Sequence, residues 1–406
     1  MIYDCVIVGG GAAGCFALAN LLSEKPHAKV LLLEKSNKLL SKVLVSGGGR
    51  CNVTHRFENI ADFASNYPRG EKFMRKILHH FSPLDTIAWF ESRNVKLKTE
   101  ADGRLFPVSD SSSDVVNCLL AACQKAEMRL QVDLIKAENI NNIWVLTTAY
   151  GTSIQCNNLI MATGGNSIKH LSKIFDNYTF EIKPEAPSLF SFNLKPHTLI
   201  DLMGVSLKII RVKVAGSKLI GEGPTVITHW GLSGPAILRL SAFGAYEFFE
   251  RNYQFKLLVN WLPDFNEIEV MTTLENFQLE NKQKMLQSRP FLELPERLWI
   301  KLLVMASLDA KQTWSAIGKG NLRKLTEILC ASAFDVSGKT TFKEEFVTGG
   351  GIETTEIHHL TCESKKYPGL YFAGEMLNTD GVTGGFNFQH AWSTGYLAAK
   401  AIAEKL

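Results

Sequence analysis

Three stretches of this chain carry residues whose types and spacing can do chemistry. The first is Gly9-Gly10-Gly11-Ala12-Ala13-Gly14, which fits G-x-G-x-x-G at Gly9, Gly11 and Gly14. One glycine makes a tight turn, one lets a pyrophosphate approach the backbone, and one lets a helix pack close to a strand. A helix opening at Ala12 and Ala13 would present free N–H groups and a partial positive charge to the phosphates. Glu34 follows Gly14 by 20 residues, where a carboxylate can accept the hydroxyls of an adenosine ribose and would repel a 2′-phosphate. FAD or NAD is therefore favoured over NADP. The plain alternative, a glycine-rich turn, does not account for a strand before, a helix after and an acid at this distance.

The second stretch is Ser46-Gly47-Gly48-Gly49-Arg50-Cys51-Asn52. Its glycines let backbone lie flat against a ring, and Arg50 can fork onto a phosphate. Cys51 has no adjacent thiol, so a packed or flavin-touching thiol is expected rather than a redox disulfide. The third stretch runs from Asp380 through Gly384, Gly385, Phe386 and Asn387 into a final helix. N–H groups there would face the pyrimidine edge of a flavin and stabilise its anionic reduced form, although ordinary helix capping needs the same residues.

Two further segments choose FAD over NAD. Ala162-Thr163-Gly164-Gly165 ends one apolar strand, and Gly374-Glu375 ends another late in the chain. Strand ends of this kind recur in two-part FAD domains. The expected cofactor shell also takes in Lys35, Lys42 and Leu134. His229 is the candidate catalytic residue, able to protonate a substrate or hold its carbonyl; a local hydrogen bonder is the commoner role of a single histidine. Trp230 beside it suits a pocket wall or the core. Arg104 follows a turn and reads as solvated rather than as a substrate clamp. Lys72, Arg75, Lys76, His79 and His80 form a short basic cluster, read as a solvated helix face.

These groups need elements to hold them. Residues 3–8 read as a strand, 12–23 as a helix and 29–34 as a buried parallel strand, a βαβ unit. Helical periodicity covers 71–93, broken at Ser82-Pro83, and 113–128. Strands with turns near Asn141-Asn142 and Tyr150-Gly151 lead to 158–165. Strands return over 207–216 and 224–231, with Gly216 and residues 221–224 as turns. The 228–235 segment reads as a strand end passing into a helix. Residues 264–330 read as helical, with Pro295 opening one helix, and 388–405 as the closing helix.

The whole of 406 residues suggests two or three domains. The expected class is α/β: a discontinuous Rossmann-like domain over 1–188 and 342–406, an inserted β domain over 189–262 and 326–341, and a helical domain over 263–325. A net charge of +4 argues against a nucleic-acid partner on bulk charge, but not against a local basic patch. Eight scattered cysteines without a C-x-x-C pair argue for a reducing, cytoplasmic compartment and against a zinc ribbon, leaving no metal site. The apolar run over 5–22 is interrupted by glycines and lacks a basic leader, so no membrane segment is expected.

The chain resembles the BaiN/aminoacetone-oxidase-like flavoproteins. The resemblance rests on VIVGGGAAG (6–14), SGGGRCNVT (46–54), THWGLSGPAIL (228–238), VTGGGI (347–352), ESKKYPGLYFAGE (363–375) and DGVTGGFNFQHAWSTG (380–395). It implies non-covalent FAD, a β-barrel-like insertion and a helical domain, with unsaturated ketones or amino ketones as the substrate class. Departures occur at 38–45, where Lys42 still matches, at His55, at Cys362 and at His390. The expected activity is hydride exchange between flavin N5 and a small organic substrate, with NAD(P)H as a transient donor. The alternatives are an FAD-dependent RNA-modifying enzyme and a non-catalytic flavin sensor.

Overall fold

A computed structural model describes residues 1–165, 168–340 and 347–406. The chain forms two compact units, Met1–Ser188 with Lys343–Leu406, and Leu189–Phe342. The expected return to the first domain at 341/342 lies outside the described residues.

The first unit is built on a seven-stranded sheet. Its strands are β1 (Ile2–Val8), β2 (Val30–Glu34), β3 (Glu127–Leu130), β4 (Leu134–Ile140), β5 (Ile143–Thr148), β6 (Ser153–Met161) and β7 (Leu370–Phe372). β1 lies between β2 and β6, parallel to both, and β3 extends the parallel part beyond β2. β4 and β5 add an antiparallel hairpin beyond β6, while β7 also pairs with β6 in parallel. Val6, Ile7, Leu31, Leu32 and Leu33 are fully buried, as continuous apolar runs in a sheet covered on both faces should be.

Helix α1 (Ala12–Glu24) packs against the closing helix α3 (Phe386–Lys405). Small residues set their approach: a Cβ on Gly395 would lie 2.6 Å from the carbonyl oxygen of Ala13. Phe16 of α1 then meets Trp89 at 4.6 Å and Trp392 at 5.1 Å between ring centroids. Truncating such a buried ring costs about 3–5 kcal/mol. Between them in sequence, helix α2 (Glu71–Ile77) buries Phe73, Met74 and Ile77 and exposes Lys72, Arg75 and Lys76.

The expected helix over 113–128 ends earlier, at Ser112–Cys123, and 127–130 is β3 instead. Parallel pairing of Met128 and Leu130 beside Leu32 and Glu34 overrides the local helical pattern.

The second unit contains a closed six-stranded barrel made by Ser191–Leu194, Gly231–Ser233, Ile220–Ile227, Ser206–Val214, Gln254–Asn260 and Ser332–Thr340 in that order. Three longer helices, Glu267–Glu280, Glu296–Met305 and Lys319–Ala331, put Leu274, Trp299 and Leu325 into the same hydrophobic core as the barrel residues Phe192, Val212 and Leu257. Residues 221–224, expected as a turn, lie inside a strand. Gly221 is there for contact: a Cβ would sit 2.5 Å from the Ala236 carbonyl oxygen. The 228–235 segment also differs from expectation, because the strand Gly231–Ser233 intervenes before the helix Pro235–Phe243. Among the described residues no helix is long and apolar enough to cross a membrane.

Candidate functional site

The first glycine turn is shaped by close backbone contacts. A Cβ on Gly9 would lie 2.4 Å from the Ala162 oxygen, and one on Gly14 would lie 1.9 Å from the Gly9 oxygen. The end of β6 and the start of α1 are thereby locked against the turn. Gly11, the N-cap of α1, has the opposite character: nothing lies within 4 Å of an added Cβ, and no side chain caps the helix. The Ala12–Ala13 end of α1 therefore opens onto free space with N–H groups to offer.

Glu34 borders this opening. Its Oε2 accepts from the Gly10 N–H at 2.7 Å and its Oε1 from the Ser36 N–H at 2.8 Å. The N–H groups of Val132 and Gln131 donate to the carbonyls of Glu34 and Ser36, both at 3.0 Å. Leu134, buried at the start of β4, follows directly. Lys35 points to solvent.

Across the turn, Lys42 Nζ donates to Glu375 Oε2 at 2.8 Å. That same oxygen is 3.6 Å from where a Cβ on Gly164 would be. Thr163 Oγ1 contacts the Met376 sulfur at 2.8 Å. The Gly374 N–H donates to Thr394 Oγ1 at 2.9 Å, fixing the end of β7 on α3. The ends of β6 and β7, the first turn and Lys42 are thus brought together.

The 46–52 stretch leaves helical geometry at Ser46, and Gly47, Gly48 and Gly49 take left-handed conformations. Gly48 and Gly49 have no neighbour within 4 Å of an added Cβ. Cys51 is fully buried, and burial pushes its thiol up to about 12. All eight cysteines are free. Asn52 is buried, and its Oδ1 has no hydrogen-bond partner. Arg50 is differently engaged from expectation: it donates to Glu100 at 2.6 Å, lies 3.5 Å from Asp110, and stacks over Phe106 at 4.0 Å. Both carboxylates meet the Arg50 guanidinium at Nη1, and Glu100 foremost raises its pKa.

The third stretch converges on the start of α3. A Cβ on the N-cap Gly385 would lie 2.5 Å from the Thr54 oxygen, and Gly385 has a φ of +95°. Only glycine meets both demands. Asn387 closes the preceding loop by exchanging two 2.8 Å hydrogen bonds with the backbone of Gly381. Phe386 packs against His55, Phe63 and Tyr67, and its carbonyl accepts from the Tyr67 hydroxyl at 2.7 Å. Gly384 gives its carbonyl to His55 Nδ1 at 3.0 Å. The carbonyl can only accept, so Nδ1 carries a proton in this bond; burial foremost lowers the His55 pKa. A pocket of about 320 Å³ opens here, lined by His55, Arg56, Phe63, Asn66, Asp102 and Phe386. Asp380, assigned to the cofactor shell from sequence, is fully buried and paired with Arg69 and Ser188.

His229 belongs to the other unit. It occupies the turn between Ile220–Ile227 and Gly231–Ser233, exposed, with its ring 4.5 Å from that of Trp230. Sequence reasoning missed Arg69 and the structural part of His55. Nothing local marks Arg69; only the pairing of its backbone with Asp380 brings it in.

FAD fits this first unit. Gly11, Gly48 and Gly49 leave open backbone, the N-terminus of α1 is uncapped by side chains, and Asn52 Oδ1 is a buried acceptor awaiting a donor such as a flavin imide N–H.

Comparison with known proteins agrees with the geometry. Residues 3–401 match the HI0933-like protein Rossmann domain. The chain is 28% identical to the ribosomal RNA dihydrouridine synthase of Escherichia coli (strain K12), covering 98% of this chain and 97% of that one. It is 27% identical to the 3-dehydro-bile acid delta(4,6)-reductase of Clostridium scindens, covering 98% of each. The open conformation of a flavocytochrome c3 fumarate reductase shares the fold at a TM-score of 0.50 and 13% identity, over 99% of this chain and 78% of that one. The chain belongs to the HI0933-like Rossmann family and is an FAD-dependent oxidoreductase.

Proposed function

We propose that this protein reduces a carbon–carbon double bond conjugated to a carbonyl within a ring. The carrying observation is a shared chemistry. Making dihydrouridine from uridine and reducing a delta(4,6) 3-dehydro-bile acid both saturate such a bond, and the relatives bearing those names align over nearly the whole chain. FAD, when bound and reduced, would supply the hydride such a reduction needs, and the chain would have to provide the proton that completes the product.

The chain's own residues would hold and polarise. The N-terminus of α1 takes the pyrophosphate and Glu34 the ribose. The N-terminal end of α3, at Gly384 to Asn387, would offer its partial positive charge to the flavin and so favour the reduced anion. Asn52 accepts a hydrogen bond at the same ring. Lys42 and Glu375 border the flavin end, and Cys51 is a packed neutral thiol. His229 is assigned the proton for the α-carbon; His229→Gln is expected to slow substrate reduction and leave flavin reduction by nicotinamide unchanged.

The test is anaerobic. Flavin reduced by NAD(P)H is mixed with an unsaturated cyclic ketone, or with RNA containing unpaired uridines, and its reoxidation is followed with the saturated product. Reoxidation by oxygen alone, with no conjugated substrate accepted, would overturn the proposal.

A further inference from the structure

The short strand Thr54–His55 is locked onto the start of α3. Thr54 Oγ1 donates to Gln389 Oε1 of α3 at 2.7 Å, and the Thr54 carbonyl oxygen leaves Gly385 no room for a Cβ. His55 extends the same lock. Its ring stacks on Phe386 with centroids 4.7 Å apart and planes 28° from parallel. A Cβ on Gly384 would lie 3.3 Å from Nδ1, and one on Gly103 would lie 2.6 Å from Nε2. The imidazole is therefore held between two backbones, and pairing with Arg104 fixes the strand that carries it.

What this ring does follows from the peptide group it touches. The carbonyl that faces Nδ1 at 3.0 Å belongs to the peptide joining Gly384 to Gly385, and the other end of that peptide is the Gly385 N–H. A donor on the oxygen draws electron density from the nitrogen, so the N–H becomes a stronger donor. Gly385 is the N-cap of α3, no side chain caps the helix, and the Gly385 N–H has no partner among the described residues. The His55 bond thus adds to the partial positive charge that a helix start already carries.

We propose that His55 is a positioning residue that raises the reduction potential of the flavin by polarising the Gly384–Gly385 peptide at the start of α3. This rests on the reading that this end of α3 borders the flavin. An anionic reduced ring gains more from a polarised N–H than a neutral oxidised ring does, so the bond favours reduction.

The ring can also take up charge. A proton on Nε2 leaves the Nδ1 bond in place and makes it charge-assisted. Around the ring stand Arg56 and Glu58 just after the strand, Asp62 on the helix Ile60–Ala64, Asp102 and Arg104 from the neighbouring hairpin, and the Phe386 ring from α3. Burial foremost lowers the His55 pKa; Arg56 and Arg104 act in the same direction, and the Gly384 bond and Asp102 oppose them. Both cations have acidic neighbours, Arg56 with Glu58 at 4.0 Å and Arg104 with Asp102 at 2.7 Å. The flavin potential should therefore climb more steeply with falling pH once the imidazole begins to take its proton.

The experiment compares wild-type holoprotein with His55→Asn and His55→Phe. Asparagine can donate an amide N–H from the place of Nδ1 but does not titrate. Phenylalanine keeps the stack on Phe386 and loses the bond. Midpoint potentials are read against reference dyes between about pH 5 and about pH 8. At the alkaline end His55→Phe should lower the reduced-to-oxidised ratio by about threefold, about 14 mV for a two-electron couple, and His55→Asn should stay with wild type. Both variants should lose the extra rise in acid. In isotope-labelled apoprotein the Gly385 amide resonance should move in His55→Phe and not in His55→Asn, which reads the polarisation without the cofactor. Three coincident potential curves overturn the proposal, and so does equal lowering by both variants, which would give His55 a packing role alone. If His55→Phe fails to hold FAD, the pH profile of His55→Asn decides: an acid rise as steep as wild type overturns the proposal. A Gly385 amide that does not respond when FAD is added to wild-type apoprotein overturns both this inference and the reading of α3 on which it rests. Shifted potentials in a protein that reduces no conjugated ring would leave this inference standing and remove the proposed substrate class.

Discussion

Arg69 and Asp380, 311 residues apart in sequence, form a buried ion pair that Ser188 completes through a 2.5 Å hydrogen bond to Asp380. The pair ties the chain ahead of α2 to the loop that leads into α3. Removing one partner strands the other charge. Asp380→Asn or Arg69→Met is expected to destabilise the fold by about 3 kcal/mol or more and to loosen FAD. Urea unfolding and flavin retention on gel filtration measure the two effects. Unchanged stability would mean that water already serves the pair.

The two kinds of glycine in the first turn should separate folding from cofactor binding. Gly14→Ala puts a methyl 1.9 Å from the Gly9 carbonyl oxygen, a backbone atom that cannot swing aside. It should cost about 3 kcal/mol or prevent folding. Gly11→Ala meets nothing within 4 Å. That variant should melt normally without flavin, yet hold FAD at least tenfold more weakly. Tight FAD in Gly11→Ala would move the pyrophosphate away from α1.

His390 predicts a pH dependence. Burial lowers its pKa from 6.5 to about 3, and its Nε2 has no hydrogen-bond partner. Between these values the unfolded chain binds a proton that the folded chain refuses. Stability from this residue is therefore fully present above about pH 6.5 and is lost as pH falls toward 3, by at most about 1.4 kcal/mol per unit. His390→Leu should flatten that part of the profile. Parallel wild-type and variant stability curves between about pH 4 and about pH 7 would contradict it.

Cys51 should be chemically silent. A fully buried thiol pushed up to about 12 is neutral near pH 8 and shielded from reagent. Native protein treated with iodoacetamide should leave Cys51 unmodified by peptide mass analysis, and denatured protein should lose that protection. Cys51→Ser should keep flavin reduction by NAD(P)H within about twofold. Rapid labelling of Cys51 in the native state would count against its packing.

The βαβ start of the fold was readable because Gly9, Gly14 and Glu34 are local signals with a fixed physical meaning. The strand 127–130 was not, because its state depends on a neighbour, β2, about a hundred residues earlier. The same division holds at the site. Gly384, Gly385 and Asn387 announced a helix start, whereas Arg50 gave no sign that Glu100 and Asp110 would hold it. Asp380 looked like a ligand-facing acid in a motif, and only the fold revealed Arg69 beside it. Charge partners brought together by topology leave no spacing in the sequence to read.

The placement of β7 and α3 also sets a schedule for synthesis. The sheet gains β7 beside β6, and α1 gains its main packing partner, only after residues 370–405 have left the ribosome. The barrel unit, encoded wholly between Leu189 and Phe342, can close earlier. A nascent chain thus carries an open, apolar α1 for most of its translation, and early termination would yield a finished barrel attached to a cradle that cannot take its cofactor.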